Sequence, residues 1–561
     1  MHNFSRHFFY LCPYRTMNPM KRFCLFTFCF TLFLINIRAQ EGLDVNGVRD
    51  VTLDSLEKAN QVRPVSGSSR RGTNPVLFLI GNSTMRNGTL GNGNNGQWGW
   101  GYFCHEWFDK NRITVENHAL GGTSPRTFYR RLWPDVLKGV QAGDYVVLEL
   151  GHNDNGPVDE GRARSSIQPA LGNDSLLVTI KGTGQEEMVY TFGGYIRRFV
   201  SDIRAKGATP ILLTLTPRSA YTDPDNTIID RKLTTFTPWL KNLSEELNTP
   251  LIDLNDISAT KLEKYGVWKA NYHFFGDKIH SSVFGARMNA ASFAEGLESC
   301  TNPQVAFLRT TLLTNKLHPK SLKSTKNSKK KPTVFLTGDS TVKNNDTDSN
   351  GMWGWGAVAY EVFDPEKCMV INAAKAGRST RTFLEEGRWD EVYNSIEPGD
   401  FVLIQFGHND IGPIDSQKER GTIASAADTC HVYQLQSNGQ YRVIYSFGWY
   451  LKKFIGDVRE RGGIPILVSL TPRNEWPNGK IERRNDSYGR WYRQVAEETG
   501  CEFLDLHNIS ADRLDRMGKK KAAKMFNNDH THSSLAGARH TARCIARGLK
   551  KQHSPLASLL K

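Results

Sequence analysis

Nine cysteines in 561 residues are too few for a disulfide framework, and three of them (Cys12, Cys24, Cys29) lie in the first 39 residues. No apolar run reaches the roughly 20 residues that a membrane span needs. The longest, Phe23–Ile35, has thirteen apolar or small residues. Neither H-E-x-x-H nor paired C-x-x-C is present, so the common zinc frameworks are missing. The composition, 39% hydrophobic and 23% charged, excludes a mainly disordered, collagen-like or coiled-coil chain. The net charge of +15 is misleading until it is located. Residues 1–39 carry five basic residues and no acids, residues 316–331 carry seven lysines and no acids, and setting these twelve aside leaves +3. Such a sum gives no broad nucleic-acid patch.

Met20-Lys21-Arg22, the Phe23–Ile35 run and the exit at Arg38-Ala39-Gln40 form the basic, apolar and small-residue pattern of a secretory signal peptide. Residues 1–39 are expected to be that signal, with translation starting at Met17 or Met20 as an alternative. The expected location is secreted or periplasmic, with no stable membrane insertion after cleavage. No cysteine closely follows the expected cut, which argues against a lipid anchor.

The dominant feature is a repeat of about 255 residues. Trp98-Gly99-Trp100-Gly101 returns as Trp353-Gly354-Trp355-Gly356, Gly151-His152-Asn153-Asp154 as Gly407-His408-Asn409-Asp410, and Thr216-Pro217-Arg218 as Thr471-Pro472-Arg473. Phe192-Gly193-Gly194-Tyr195 returns as Phe447-Gly448-Trp449-Tyr450. A period this long is a domain duplication, not a solenoid. The expected layout is a polar extension over 40–73, a first domain over 74–300, a helix and Lys-rich linker over 301–331, and a second domain over 332–552.

Each copy alternates apolar runs with helical spacing. Strands are expected at 76–81, 113–117, 145–150, 210–215 and 250–254, and again at 333–338, 369–373, 401–406, 465–470 and 502–506. Helical patterns lie between them, at 98–109, 194–206 and 232–247 in the first copy. This predicts an α/β fold with two tandem α/β/α domains, each built on a five-stranded parallel sheet. Sites in such sheets form at the carboxyl ends of the strands.

Those ends collect Gly81-Asn82-Ser83-Thr84 and Gly338-Asp339-Ser340-Thr341, then Gly121-Gly122 and Ala376-Gly377, then the two GHND blocks. Asp277-Lys278-Ile279-His280 and Asp529-His530-Thr531-His532 precede the last helix of each copy. A serine hydroxyl needs a base, a histidine supplies one near neutral pH, and a carboxylate three residues earlier can orient that histidine. Backbone N–H groups and an asparagine amide can meet the charge on a tetrahedral intermediate. Alone, each block also reads as a capped turn, an Asx turn or a surface pair. Their order and their presence in both copies make the set specific.

On these blocks, with NAAKAGRSTRTF at 372–383, QFGHND at 405–410, VYTFGGY at 189–195, IYSFGWY at 444–450, LTPR at 215–218 and 470–473, and DHTHSS at 529–534, each copy resembles the SGNH or GDSL-type hydrolases. More closely, each is similar to the rhamnogalacturonan acetylesterase family. The resemblance covers about 75–298 and 332–550. It implies a flavodoxin-like fold, removal of O-acetyl groups from pectic polysaccharide, no cofactor and no metal. It implies Ser83 and Ser340 as nucleophiles, His280 and His532 as bases, and Asp277 and Asp529 as their orienting carboxylates. The oxyanion holes would be the Ser83, Gly122 and Asn153 set and the Ser340, Gly377 and Asn409 set. The first copy departs at Asn82, where the pattern has Asp, and at Thr123, where the second copy has Arg378.

The expected substrate is an acetylated acidic polysaccharide, with Arg378, Arg218, Arg473, Arg162 and Arg164 as candidate contacts. No nucleic-acid partner is expected, and the oligomeric state is open. Three other readings stay open: an esterase acting on xylan or another glycan, a first copy that only binds carbohydrate, and a zinc deacetylase built on the 529–532 run with His408. Trp98, Trp100, Trp353 and Trp355 serve either packing or sugar stacking.

Overall fold

The structure is a computed structural model and describes residues 64–86, 93, 95–167, 170–319, 321–323, 331–343, 351–415, 418–437, 441–527 and 529–561. The expected signal segment, most of the polar extension and part of the Lys-rich stretch lie outside the described residues.

The first copy is built on β1 (Val76–Gly81), β2 (Thr114–Asn117), β3 (Tyr145–Glu149), β6 (Thr209–Leu213) and β7 (Leu251–Ile252), in the all-parallel order β2-β1-β3-β6-β7. The second repeats it with β8 (Thr333–Gly338), β9 (Met369–Asn372), β10 (Phe401–Gln405), β13 (Ile464–Val468) and β14 (Glu502–Leu504), in the order β9-β8-β10-β13-β14. The VLFLIG run of β1 is buried throughout because both faces of the sheet are covered. Leu77 and Leu79 enter one core while Val76, Phe78 and Ile80 enter the other, following the two-residue period of a strand. In both sheets the strand order reverses beside β1 or β8, which opens the crevice where β1 and β3, or β8 and β10, end.

Two antiparallel hairpins escaped the sequence reading: β4 (Ser175–Thr179) with β5 (Glu186–Tyr190), and β11 (Cys430–Gln434) with β12 (Tyr441–Tyr445). Most of β4 and β5 is exposed, Leu176 and Leu177 included, so burial leaves no apolar alternation to mark that hairpin, whereas Val443, Ile444 and Tyr445 of β12 are buried as one short apolar run. The expected helix over 98–109 is instead two 3₁₀ turns, Trp100–Tyr102 and Cys104–Trp107. Gly99 lies against the backbone of Met85, and a Cβ there would come within 2.1 Å of it, so the segment serves close approach rather than helix length. Trp98, Trp100 and Trp355 are buried and pack in the cores rather than facing a sugar. Val305, Leu308 and Leu312 are buried in the first core, as Leu556 and Leu560 are in the second. Thus each structured body runs on past the end expected from the repeat.

The first copy carries helices α1 (Pro125–Arg131), α2 (Phe192–Ala205), α3 (Leu254–Ala270, interrupted at Gly266) and α4 (Val283–Ser299). Their counterparts are α5 (Thr380–Glu385), α6 (Phe447–Glu460), α7 (Leu506–Met517) and α8 (Leu535–Lys551). The copies pack head to tail. Lys269 at the end of α3 is buried between Asp457 and Glu460 of α6. Tyr272 and Phe284 pack on Trp449, with ring centroids 4.6 and 5.3 Å away. The contact is heterologous, joining two different faces of the same fold. The unused faces lack these rings: Tyr272, Phe275 and Phe284 become Lys524, Asn527 and Ala536, and Trp449 corresponds to Gly194.

Candidate active site

Ser83 opens the turn after β1, and His280 stands on the loop before α4. Ser83 Oγ lies 2.8 Å from His280 Nε2, and His280 Nδ1 lies 2.6 Å from Asp277 Oδ2. In the second copy Ser340 Oγ is 2.9 Å from His532 Nε2, and His532 Nδ1 is 2.6 Å from Asp529 Oδ2. The local fold sets this geometry. Asp277 Oδ1 accepts the backbone N–H groups of Ile279 and His280, both at 2.7 Å, so the loop curls the imidazole back onto its own carboxylate. Asp529 does the same with Thr531 and His532. Partial burial works against the Asp277 charge, but hydrogen bonds from His280 ring and backbone, with Ile279 N–H, overcome it and bring the carboxyl down to about 2. Asp529 is lowered by the same donors. Both carboxylates therefore stay charged and hold the imidazole Nδ1 protonated, which leaves Nε2 free to accept a proton from the serine.

Three loops converge beside each serine. Thr123 Oγ1 donates to the carbonyl of Leu120 at 2.7 Å, with the Gly81 carbonyl 3.2 Å away, and Asn153 Nδ2 donates to the carbonyl of Thr123 at 3.0 Å. The second copy uses Asn409 Nδ2 to the carbonyl of Arg378 at 3.1 Å. Gly122 and Gly377 adopt φ of 80° and 77°, a backbone state that glycine takes without strain. Among the described residues the backbone N–H groups of Ser83, Gly122, Ser340 and Gly377 make no hydrogen bond. Each loop cluster thus offers uncommitted donors next to an activated hydroxyl, the arrangement that acyl transfer requires.

Several site residues carry no motif signature. Arg420 Nη1 donates to Asn409 Oδ1 at 2.6 Å and to the carbonyl of Gly377 at 3.0 Å, fixing the direction of both oxyanion groups. Arg164, its counterpart, reaches the carbonyl of Gly122 at 3.3 Å. Gln97 Nε2 bonds the carbonyl of Phe275 at 2.9 Å and approaches Asp277 Oδ2 at 3.4 Å, where the second copy has Met352. These are long-range contacts that only the repeat register relates.

Of the candidate substrate contacts, Arg378 is paired with Glu386 at 2.9 Å. Arg218 and Arg473 each have a buried Nε without a hydrogen-bond partner among the described residues. Arg218 lines a cavity of about 210 Å³ with His152, Asp230, Lys232 and Asn155, beside the GHND turn. His152 is buried against Thr216 Oγ1, 3.1 Å away, and burial with the Arg218 charge holds its imidazole down near 3. His408 likewise faces Thr471 Oγ1 at 3.1 Å and not the 529–532 run. His530 of that run lies 3.8 Å from Glu475.

Beneath each nucleophile turn the copies differ in a correlated way. Asn82 Oδ1 accepts Thr84 N–H and hydroxyl at 3.0 Å, and Thr84 Oγ1 also lies 3.1 Å from Glu149 Oε1. In the second copy Asp339 Oδ1 accepts Thr341 N–H at 2.9 Å and hydroxyl at 2.8 Å, and Gln405 Nε2 donates to Thr341 Oγ1 at 2.9 Å. The Asn82–Glu149 pair has become Asp339–Gln405. One carboxylate and one amide flank the threonine in each copy, in exchanged places. Trp100 and Trp355 donate their indole N–H to Glu149 and Gln405.

Each copy also has relatives among known proteins. A probable rhamnogalacturonan acetylesterase of Bacillus subtilis, YesY, is 32% identical over 234 residues, covering 41% of this chain and 97% of that protein. The rhamnogalacturonan acetylesterase RhgT of the same organism is 32% identical over 243 residues, covering 40% of this chain and 94% of that protein. Each alignment has the length of one copy. The crystal structure of B. subtilis YxiM is 25% identical with a TM-score of 0.34, and the match covers 40% of this chain and 58% of that one. The model of the GDSL-like lipase/acylhydrolase family matches twice, at residues 79–288 and 336–540, and each match holds one Ser–His–Asp set. The chain therefore belongs to the GDSL-like lipase/acylhydrolase family and carries its hydrolase domain in two tandem copies.

Proposed function

We propose that both copies are serine esterases that remove O-acetyl groups from a plant cell-wall polysaccharide, with rhamnogalacturonan in pectin as the substrate. The observation that carries this reading is the Ser–His–Asp relay, present in both copies at 2.6–2.9 Å. The names of YesY and RhgT support the choice of substrate. So does the cavity beside the first site, where Arg218 offers a guanidinium to a uronate carboxylate while Lys232 is paired with Asp230. Export, expected from residues 20–40, suits an extracellular polymer.

In this mechanism His280 or His532 takes the proton of Ser83 or Ser340 as Oγ bonds to the acetyl carbon. The carbonyl oxygen becomes an oxyanion and meets the serine and glycine N–H groups and the asparagine amide. Collapse breaks the bond to the sugar oxygen, which leaves with the proton from the imidazolium. Water, deprotonated by the same histidine, then bonds to the acetyl carbon. Collapse breaks the bond to the serine Oγ, which takes the proton back from the imidazolium as acetate leaves. The test is acetate release from acetylated rhamnogalacturonan, with acetylated xylan in parallel, by wild type, Ser83→Ala, Ser340→Ala and the double variant. Partial activity in each single variant and none in the double is expected. Undiminished turnover in the double variant refutes the assignment, and release from xylan alone replaces the substrate.

A further inference from the structure

The face of the first copy that meets α6 has a counterpart on the second copy that meets nothing among the described residues, and its chemistry is different. Residues 261–299 carry five Lys/Arg and four acids, whereas their counterparts, 513–551, carry eleven Lys/Arg and two acids. The near-neutral sum for the whole folded chain conceals this local excess. Helix α8 has no acid at all. Arg539, Arg543 and Arg547 recur on it every fourth residue and so line one side. Between α7 and α8 opens a cavity of about 560 Å³ lined by Arg513, Met517, Met525, Leu535, Arg539, His540 and Arg543. Arg539 is paired with Glu361 at 2.8 Å. Arg513 and Arg543 have no acidic partner among the described residues, and Arg513 Nε is buried without a hydrogen bond. Burial and these two guanidinium charges hold the His540 imidazole down near 4, so it stays neutral beside them.

We infer that this face is a second carbohydrate-binding site, which takes a stretch of acidic polysaccharide through its carboxylates. The inference rests on the pectic reading of the two active sites. Charge on an unused head-to-tail face also prevents further copies from adding, but dispersed surface lysines would do that without turning unpaired guanidinium groups into a cavity. Guanidinium forks suit carboxylates, which they bind with two parallel hydrogen bonds. The cavity lining contains no Trp, Tyr or Phe, so it lacks the stacking platforms of a single-stranded nucleic-acid site. A polymer held here stays tethered while its acetylated stretches reach the catalytic sites, which raises their effective concentration.

The test uses the full chain carrying Ser83→Ala and Ser340→Ala, and measures co-sedimentation with unacetylated polygalacturonate, with dextran as the neutral control and duplex DNA as competitor. Salt-sensitive retention on polygalacturonate is expected, weakened about tenfold by Arg513→Gln/Arg543→Gln. The same pair of substitutions in the active chain should leave hydrolysis of a small aryl acetate unchanged, which shows that the fold and both relays are intact. Retention that the two substitutions do not weaken overturns the site. Displacement by DNA at lower concentration than by free polygalacturonate overturns the ligand class. Failure of the active chain to release acetate from pectic polymer, with variant-sensitive retention preserved, would remove the substrate reading and leave the binding face standing.

Discussion

The hydroxyl of Thr84 lies 3.1 Å from the buried carboxylate of Glu149. It has one proton and two acceptors, because the Asn82 amide oxygen is 3.0 Å away on its other side. In the second copy Gln405 donates to the Thr341 hydroxyl, which then donates to Asp339 Oδ1, so the hydroxyl has one donor and one acceptor. Burial pushes both Glu149 and Asp339 upward, and surrounding donors oppose that push. Asn82→Asp alone would place two buried carboxylates on one hydroxyl, and Glu149→Gln alone would leave none. With Ser340→Ala silencing the second copy, each single change is expected to lower kcat of the first by on the order of tenfold. The double change, which installs the second copy's pair, should recover most of that loss. Steady-state hydrolysis of an aryl acetate reads the cycle, and additive losses would show that the two positions are independent.

Asn409 is expected to be the costliest non-relay side chain in the second copy. In a Ser83→Ala background, Asn409→Ala should reduce kcat by about 10²–10³, the usual effect of losing one oxyanion donor. Arg420→Ala, which frees Asn409 to rotate without removing the amide, should cost less. Equal losses in KM and none in kcat would place Asn409 in ground-state binding instead.

The contact between copies turns on Lys269, whose side chain is 5% exposed between two carboxylates. Lys269→Met leaves Asp457 and Glu460 with less compensation, and a loss of about 3–5 kcal/mol is expected from breaking a buried pair. Lys453, 2.9 Å from Asp457, limits the loss to the low end. Chemical denaturation checks the value, and separation of one unfolding transition into two would show that the interface couples the copies. Trp449→Gly, the residue of the first copy, should loosen the same contact and slow the first site more than the second. Its ring supports Phe284, four residues after His280.

Asp410 carries the clearest pH signature. Burial, with the neighbouring Asp339 charge, raises its carboxyl to about 7 against hydrogen bonds from Thr380. In the unfolded chain it would titrate near 3.9. The folded state therefore binds the extra proton between about pH 4 and 7, and the stability this contributes is present below that window and lost as pH rises through it. Asp410→Asn cannot titrate, so its melting temperature relative to wild type should rise from pH 4 to 7 and then level off. A difference that is flat across this range would contradict the shift.

The duplication, the parallel α/β class, the strand positions to within a few residues and the four polar blocks were all legible in the chain. They are set locally: apolar runs buried on both faces must be strands, and groups at strand ends must gather at the switch point. Even the pairing of Asp277 with His280 follows from a loop of four residues. What tertiary structure alone decided is everything that depends on which distant segments meet. The grip of Arg420 on Asn409, the exchange of Asn82–Glu149 for Asp339–Gln405, and the Lys269 contact join residues separated by 11 to 191 positions. No periodicity encodes such pairs. The hairpins stayed hidden because each strand offers only a short apolar run, exposed in β4 and buried in β12, with no alternation to mark it. The two faces of the repeat had to diverge, one toward Tyr272 and Phe284 and the other toward Lys524 and Ala536, because only one of them is covered in the fold.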